Sequence, residues 1–189
     1  MFRSTLIILL VALSASARAA DFDYNYISLG YGQVDFDNPG VDGDGFGIDG
    51  SYAISDDFHV FAGYTAADLD FGIDATTLSA GIGYNGALSE VVDLVARLSY
   101  EYVELDASGF GSVDDNGLGL GVGLRFAASD ELELNAGINY IELSDSGNDT
   151  GFEAGGLYNL TDAFSLFING DWSDDSSAYM VGGRFNFGR

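Results

Sequence analysis

The chain has no cysteine, no lysine, one proline and one histidine. Without thiols it can build neither a disulfide framework nor a thiolate metal site. Basic charge is scarce, since six Arg against thirty Asp and Glu leave a net charge of −24. Nucleic-acid binding depends on neutralising phosphates with Lys and Arg, so no nucleic-acid partner is expected. Such a surface attracts cations and keeps a chain soluble in transit. Also missing is any apolar run of about 20 residues, the length a helix needs to cross a bilayer. Disorder is excluded by a composition that is 47% hydrophobic and 14% aromatic. Twenty-seven Gly beside one Pro point to many sharp turns and to Gly set within strands.

The N-terminus carries export features in working order. Arg3 supplies the positive charge, Leu6–Leu13 the short apolar core, and Ala17-Arg18-Ala19 the small-x-small cleavage pattern. We expect residues 1–19 to be a signal peptide and residues 20–189 to form one domain. Arg3 and Arg18 leave with the signal, so four Arg then face the thirty acids.

The rest of the chain alternates with a period of two. Leu118-Gly119-Leu120-Gly121-Val122-Gly123-Leu124-Arg125-Phe126 puts apolar side chains on one face, and three Gly and an Arg on the other. Phe46, Ile48 and Tyr52 likewise alternate with Gly47, Asp49 and Ser51, and Leu132, Leu134, Ile138 and Tyr140 with Glu133, Asn135, Gly137 and Asn139. The polar face is too small and too poor in charge to be the outside of a soluble sandwich. A barrel with its apolar face to lipid and its polar face inward accounts for both. Ten segments fit, at 24–36, 45–54, 58–69, 75–84, 92–105, 116–127, 132–143, 150–160, 164–172 and 177–187. The expected fold is therefore all-β, a transmembrane antiparallel up-and-down barrel of ten strands. Eight strands with longer loops is the alternative.

A short pattern of apolar, hydroxyl, acid, any residue, apolar recurs at every second connection. It reads Ile54-Ser55-Asp56-Asp57-Phe58, Leu88-Ser89-Glu90-Val91-Val92, Ala128-Ser129-Asp130-Glu131-Leu132 and Leu160-Thr161-Asp162-Ala163-Phe164. Hydroxyl and carboxylate side chains that bond their own backbone suit tight turns, and strand parity from a periplasmic N-terminus places these turns in the periplasm. Aromatics gather near both strand ends: Tyr52, Phe58, Tyr84, Phe126, Tyr158 and Phe164 at one, and Phe46, Tyr64, Tyr100, Tyr140, Phe152, Trp172 and Tyr179 at the other. Two such belts mark the lipid–water boundaries of a membrane barrel.

Phe58-His59-Val60-Phe61-Ala62-Gly63-Tyr64, Gly81-Ile82-Gly83-Tyr84-Asn85 and Asp93-Leu94-Val95-Ala96-Arg97-Leu98-Ser99-Tyr100-Glu101 resemble a family of small outer-membrane proteins. It includes the activator-of-immunity outer-membrane protein and is more distantly similar to OmpA/OmpX barrels. The resemblance runs through most of the mature chain and implies an integral barrel of the Gram-negative outer membrane, without one agreed activity. Gly182, Phe185 and Phe187 are similar to the C-terminal signal read by the barrel-assembly machinery, though Gly188 and Arg189 follow the final aromatic.

Parity points Arg97, Arg125 and Arg184 into the lumen with Asp49, Asp93, Glu133 and Glu153. Arg125 is expected to face Glu133 across a short turn and to share its donors with Asp93. This set reads as a salt-bridge network filling a narrow barrel or as a charged constriction, and pairing is what buried charges require. Asp35, Asp37, Asp42 and Asp44 could take a hard cation, but their spacing is not that of an EF-hand, and a solvated acidic crown on the outer loops is preferred. His59 with Ser51 and Asp49 allows a triad to be drawn, yet no nucleophile motif accompanies it. The expectation is a non-enzymatic monomer without cofactors, structural or interacting through acidic outer loops. It would contact lipid, lipopolysaccharide and loosely held divalent cations. The alternative is a narrow cation-preferring pore, and a hydrolase comes third.

Overall fold

The computed structural model describes residues 22–37 and 40–187. The expected signal peptide, Gly188 and Arg189 lie outside the described residues. Ten strands follow one another: β1 (Tyr26–Phe36), β2 (Val41–Ala53), β3 (Phe58–Leu69), β4 (Ile73–Ser89), β5 (Val92–Ala107), β6 (Gly111–Ala127), β7 (Leu132–Leu143), β8 (Gly147–Asn159), β9 (Phe164–Trp172) and β10 (Ser176–Asn186). Each pairs antiparallel with its sequence neighbours, and β1 pairs with β10 to close the barrel. Closure leaves no sheet edge, which lipid could not hydrogen-bond. The eight-strand alternative is thereby excluded.

The register fixes the shape. Paired residues lead from Ser28 through Asp49, Gly63, Ser79, Glu101, Gly117 and Leu143 to Gly147 on β8. The opposite way round, Ser28 leads through Arg184 and Ser165 to Asn159 on β8, twelve residues from Gly147 (159 − 147). With ten strands, that stagger gives a strand tilt of about 40° and a backbone radius of about 10 Å. Once side chains fill it, such a barrel leaves only a narrow interior.

Faces fall as the alternation requires. Leu118, Leu120, Val122 and Leu124 are exposed on the outside, while Gly119 and Arg125 of the same strand are buried. The aromatics form two belts with ring contacts inside each. Phe58 meets Tyr84 at 5.5 Å near the chain termini, and Phe46 meets Tyr64 at 6.0 Å at the far end. At that far end Trp172 lies between Phe152 (5.8 Å) and Tyr179 (5.7 Å), its indole N–H donating to the Tyr179 hydroxyl at 3.0 Å.

Three of the four repeated turns share one geometry. The N–H groups of Ile54 and Ser55 donate to the Phe58 carbonyl at 2.8 and 3.1 Å, and the Phe58 N–H returns to Ser55 Oγ at 3.1 Å. Leu132 with Ser129, and Phe164 with Thr161, repeat it. The fourth is tighter, with Ser89 pairing directly with Val92 after a bulge at Ala87/Ser89.

The far end departs from expectation. Its connections are short, spanning residues 37–40, 70–72, 108–110, 144–146 and 173–175, because the strands run on past the membrane. β4, β5 and β6 have 17, 16 and 17 residues, where a tilted crossing needs about 9–11. Over these extensions the alternation changes sign. Val34, Phe36, Val41, Leu69, Ile73 and Ile141 turn inward, and Asp35, Asp42, Asp68, Asp74 and Glu142 outward. Water outside favours charge outside, so many inward positions of these extensions are apolar. Many acids assigned to loops therefore stand on strands. Asp115 leaves the crown altogether: it is 8% exposed and accepts the N–H groups of Asp145 (3.1 Å) and Ser146 (2.8 Å), tying down the β7–β8 turn.

Candidate functional site

The lumen is the candidate site, and its end near the termini is filled. Residues 22–25 precede β1 and turn into the barrel. Tyr24 stacks on His59 with ring centroids 4.8 Å apart, and its hydroxyl donates to Asp93 Oδ2 at 3.0 Å. The Arg125 guanidinium lies 4.5 Å from the Tyr24 ring and 5.0 Å from the Phe22 ring, and its Nη1 donates to the Asp23 carbonyl at 3.2 Å. Its other donors make a fork on Glu133, Nε to Oε1 at 2.6 Å and Nη2 to Oε2 at 2.9 Å. That is the only ion pair among the described residues.

Two expectations are corrected here. The residue opposite Arg125 on β7 is Asn135, while Glu133 lies opposite Ala127 and reaches Arg125 diagonally. Asp93 does stand opposite Arg125, but its hydrogen bond comes from Tyr24. With one fork spent on Glu133, Arg125 turns its Nη1 to the N-terminal segment. The result is a dry layer: His59 and Ser165 are 0% exposed, and Arg125, Glu133 and Asp93 9% each.

His59 belongs to this layer. Its Nδ1 hydrogen-bonds Asn85 Oδ1 at 3.0 Å, and Asn85 Nδ2 donates to the Asp56 carbonyl at 2.9 Å. No hydrogen bond joins it to Ser51 or Asp49, so the drawn triad is not assembled among the described residues. Gly83 makes room for the ring, since a Cβ there would lie 2.1 Å from His59 Nε2. Gly83→Ala should therefore force the ring from between Tyr24 and β4, an overpacking cost of about 1–3 kcal/mol. A lowered urea midpoint for the folded gel form would register it, and an unchanged midpoint would show that the ring is free to move.

Above this layer lies a cavity of about 370 Å³. Arg184 Nε donates to Ser28 Oγ at 3.1 Å, with its guanidinium 3.8 Å from the Tyr26 ring. Arg97 lies 5.1 Å from the Phe61 ring, and its buried Nε has no partner. Asp49 lies in the field of both Arg without an ion pair to either. Glu153 is directly opposite Asp171 across β8 and β9, and Glu101 accepts the Ser99 hydroxyl. Of the seven expected lumen charges, then, only Arg125 and Glu133 are in ion-pair contact. Asp171 and Glu101 were left out of that charge set, although alternation with Ile168 and Trp172 puts Asp171 on the inward face and parity with Arg97 does the same for Glu101. Tyr24 opened the first expected segment, and parity with the outward Ile27, Leu29 and Tyr31 turns it inward, although β1 begins at Tyr26. Phe22 precedes that segment and left no such signal.

The cation candidates are spread out. Asp35 pairs with Asp42 across β1 and β2, Asp44 takes the Tyr31 hydroxyl, and the Asp37 N–H donates to the Asp175 carbonyl at 2.9 Å. Among the described residues no three metal-ligating side chains come together.

A closed antiparallel barrel with an apolar exterior, aromatic belts and a polar interior is a membrane-spanning β-barrel. The chain belongs to the outer membrane protein beta-barrel domain family, whose model matches residues 5–185. Solved structures share the architecture. The translocator domain of the autotransporter NalP from Neisseria meningitidis is 11% identical at a TM-score of 0.50, covering 89% of this chain and 90% of that one. The KdgM porin is 13% identical (TM-score 0.49, 85% and 99% covered). Ail, the attachment invasion locus protein of Yersinia pestis, is 17% identical (TM-score 0.43, 86% and 99% covered). No curated protein matches. The barrel therefore contacts a lipid bilayer, and its family points to the Gram-negative outer membrane.

Proposed function

We propose that this is a closed, non-enzymatic outer-membrane barrel that acts structurally or through its far, acidic end. One observation carries the reading: residues 22–25, held by Arg125, Asp93 and His59, fill the lumen at the termini and leave a layer with almost no solvent. In this reading residues 1–19 are removed on export, and the repeated turns lie in the periplasm. The C-terminal strand with Gly182, Phe185 and Phe187 is read by the barrel-assembly machinery. The mature chain stays a monomer. The outward acids of the strand extensions meet lipopolysaccharide phosphates through loosely held divalent cations, because Arg97, Arg125 and Arg184 all point inward and leave no described basic residue outside.

The second reading, a narrow cation-preferring pore, is favoured by Glu101, Glu153 and Asp171 around the cavity. Planar-bilayer recording separates the two. The intact barrel should be silent, and deletion of residues 22–25 should produce steady cation-preferring channels. Equal conductance before and after deletion would favour the pore.

A further inference from the structure

Closure spares the membrane-spanning part any sheet edge, but the β5–β6 hairpin outruns its neighbour beyond it. β5 and β6 stay paired out to Ala107 and Gly111, whereas β6 meets β7 only from Gly117 onward. The β7–β8 turn covers the β6 edge as far as Asn116, whose carbonyl accepts the Ser144 N–H at 2.9 Å. Backbone groups alternate sides along a strand. The N–H and C=O of Ser112 and Asp114 therefore point the same way as the Asn116 carbonyl, away from β5, and both residues are exposed. The two faces beside this open edge differ. On the inner one Val113 stands opposite Leu105, 67% and 39% exposed, and Phe110 at the tip is 94% exposed. On the outer one Asp114 stands opposite Glu104, and Ser112 opposite Asp106, which in turn faces Asp74. Like charges directly opposite destabilise a ladder, and no described basic residue lies outside to offset them. β8 also outruns β9, over residues 147–151, but that stretch has two Gly and no apolar side chain to hold a partner.

We infer that the β6 edge at Ser112–Asp114 takes up an extended segment of a basic protein as an added strand, one that alternates apolar residues with Lys or Arg. Its backbone pairs with the free N–H and C=O groups of Ser112 and Asp114. Neighbouring strands put paired side chains on the same face. The apolar residues of the segment thus lie beside Val113, and the basic ones beside Asp114 and Glu104. A charged side chain on an open edge guards against strands at large, and an acid there admits one of opposite charge. A second copy of this edge would set Asp114 against another acidic strand, which opposes self-pairing. Such docking gives the proposed interacting role of the far end its partner and rests on that role. Bilayer conductance plays no part in it, so closure of the barrel and docking at this edge can fail separately.

The test uses the whole folded barrel in detergent micelles, titrated with a short synthetic peptide of alternating Val and Lys. The controls are alternating Val and Glu, and the Val–Lys peptide N-methylated along one edge, which keeps the charge but loses the pairing N–H groups. Calorimetry gives affinities, and the backbone amide resonances of Ser112 and Asp114 report the site. The Val–Lys peptide should bind saturably, shift both resonances and slow their hydrogen exchange, with both controls weaker by about tenfold or more. Ser112→Pro removes one edge N–H without touching the β5 ladder, a place where an edge strand tolerates Pro. It should weaken the Val–Lys peptide about tenfold and leave the heat stability of the barrel unchanged. If that variant does not fold, the peptides on the unaltered barrel still decide. Equal binding of the N-methylated peptide would mean that charge alone attracts, and would overturn the inference. So would the absence of saturable binding, or self-association of the barrel through this edge in its place.

Discussion

Arg125→Ala should cost the barrel about 3–5 kcal/mol, the range for breaking a buried ion pair by removing one partner. The loss is large because the site is dry. Glu133 and Asp93 are 9% exposed and His59 is 0% exposed, so water cannot replace the guanidinium. Four contacts go at once: the fork on Glu133, the bond to the Asp23 carbonyl, and the cation–π faces of Tyr24 and Phe22. Folded and unfolded forms separate on a gel, so a temperature series of that shift measures the loss, and bilayer recording should show leak as residues 22–25 loosen. Arg125→Lys should restore little, since an ammonium cannot reproduce the planar fork. Removing Glu133 as well should recover part of the stability, because the stranded carboxylate goes with its partner. If Arg125→Ala left both heat stability and conductance untouched, closure by this segment would have to be abandoned.

That layer also marks where sequence reading stops. Phe58–Leu69, Leu132–Leu143 and Phe164–Trp172 were legible to the residue, since each is bounded by a repeated turn and alternates cleanly. β6 was read too short at its far end, and β4 at both ends, by residues 73–74 and 85–89. Their far ends alternate in the opposite sense, as Ile73 inward and Asp74 outward show, and a search for outward apolar residues stops where the lipid does. Arg125 was legible as inward, because it stands between Leu124 and Phe126. Its partners were only partly so. Parity gives the side of the sheet, whereas contacts across a tilted barrel depend on stagger, which places Glu133 diagonally. Tyr24 heads the first alternating segment, so parity turns it inward, but parity does not name Asp93, 69 residues away, as its partner.

The lipid-facing half of the fold makes the other large prediction. Leu120 points outward from β6 and is 56% exposed, between Leu118 and Val122 on the same face. Across the ladders it neighbours Leu98 and Tyr140, both outward and apolar or aromatic. Leu120→Arg would set a guanidinium into this band with no described acid on the neighbouring outward positions, and such a charge costs about 2–4 kcal/mol at the bilayer midplane and less towards the aromatic belt. Gly121, one residue on, faces the lumen. A Cβ there would meet only Arg97 Cβ at 3.8 Å and the Ile138 carbonyl oxygen at 3.9 Å, which is ordinary contact. Gly121→Ala should therefore insert and resist heat much as the unaltered chain does, while Leu120→Arg should lower the folded fraction in lipid vesicles several-fold. Gly119 is not an equivalent control, because a Cβ there would press on Ser99 Oγ at 2.5 Å. Equal tolerance of Leu120→Arg and Gly121→Ala would mean that this part of β6 does not face lipid, and the inside-out reading of the barrel would fail with it.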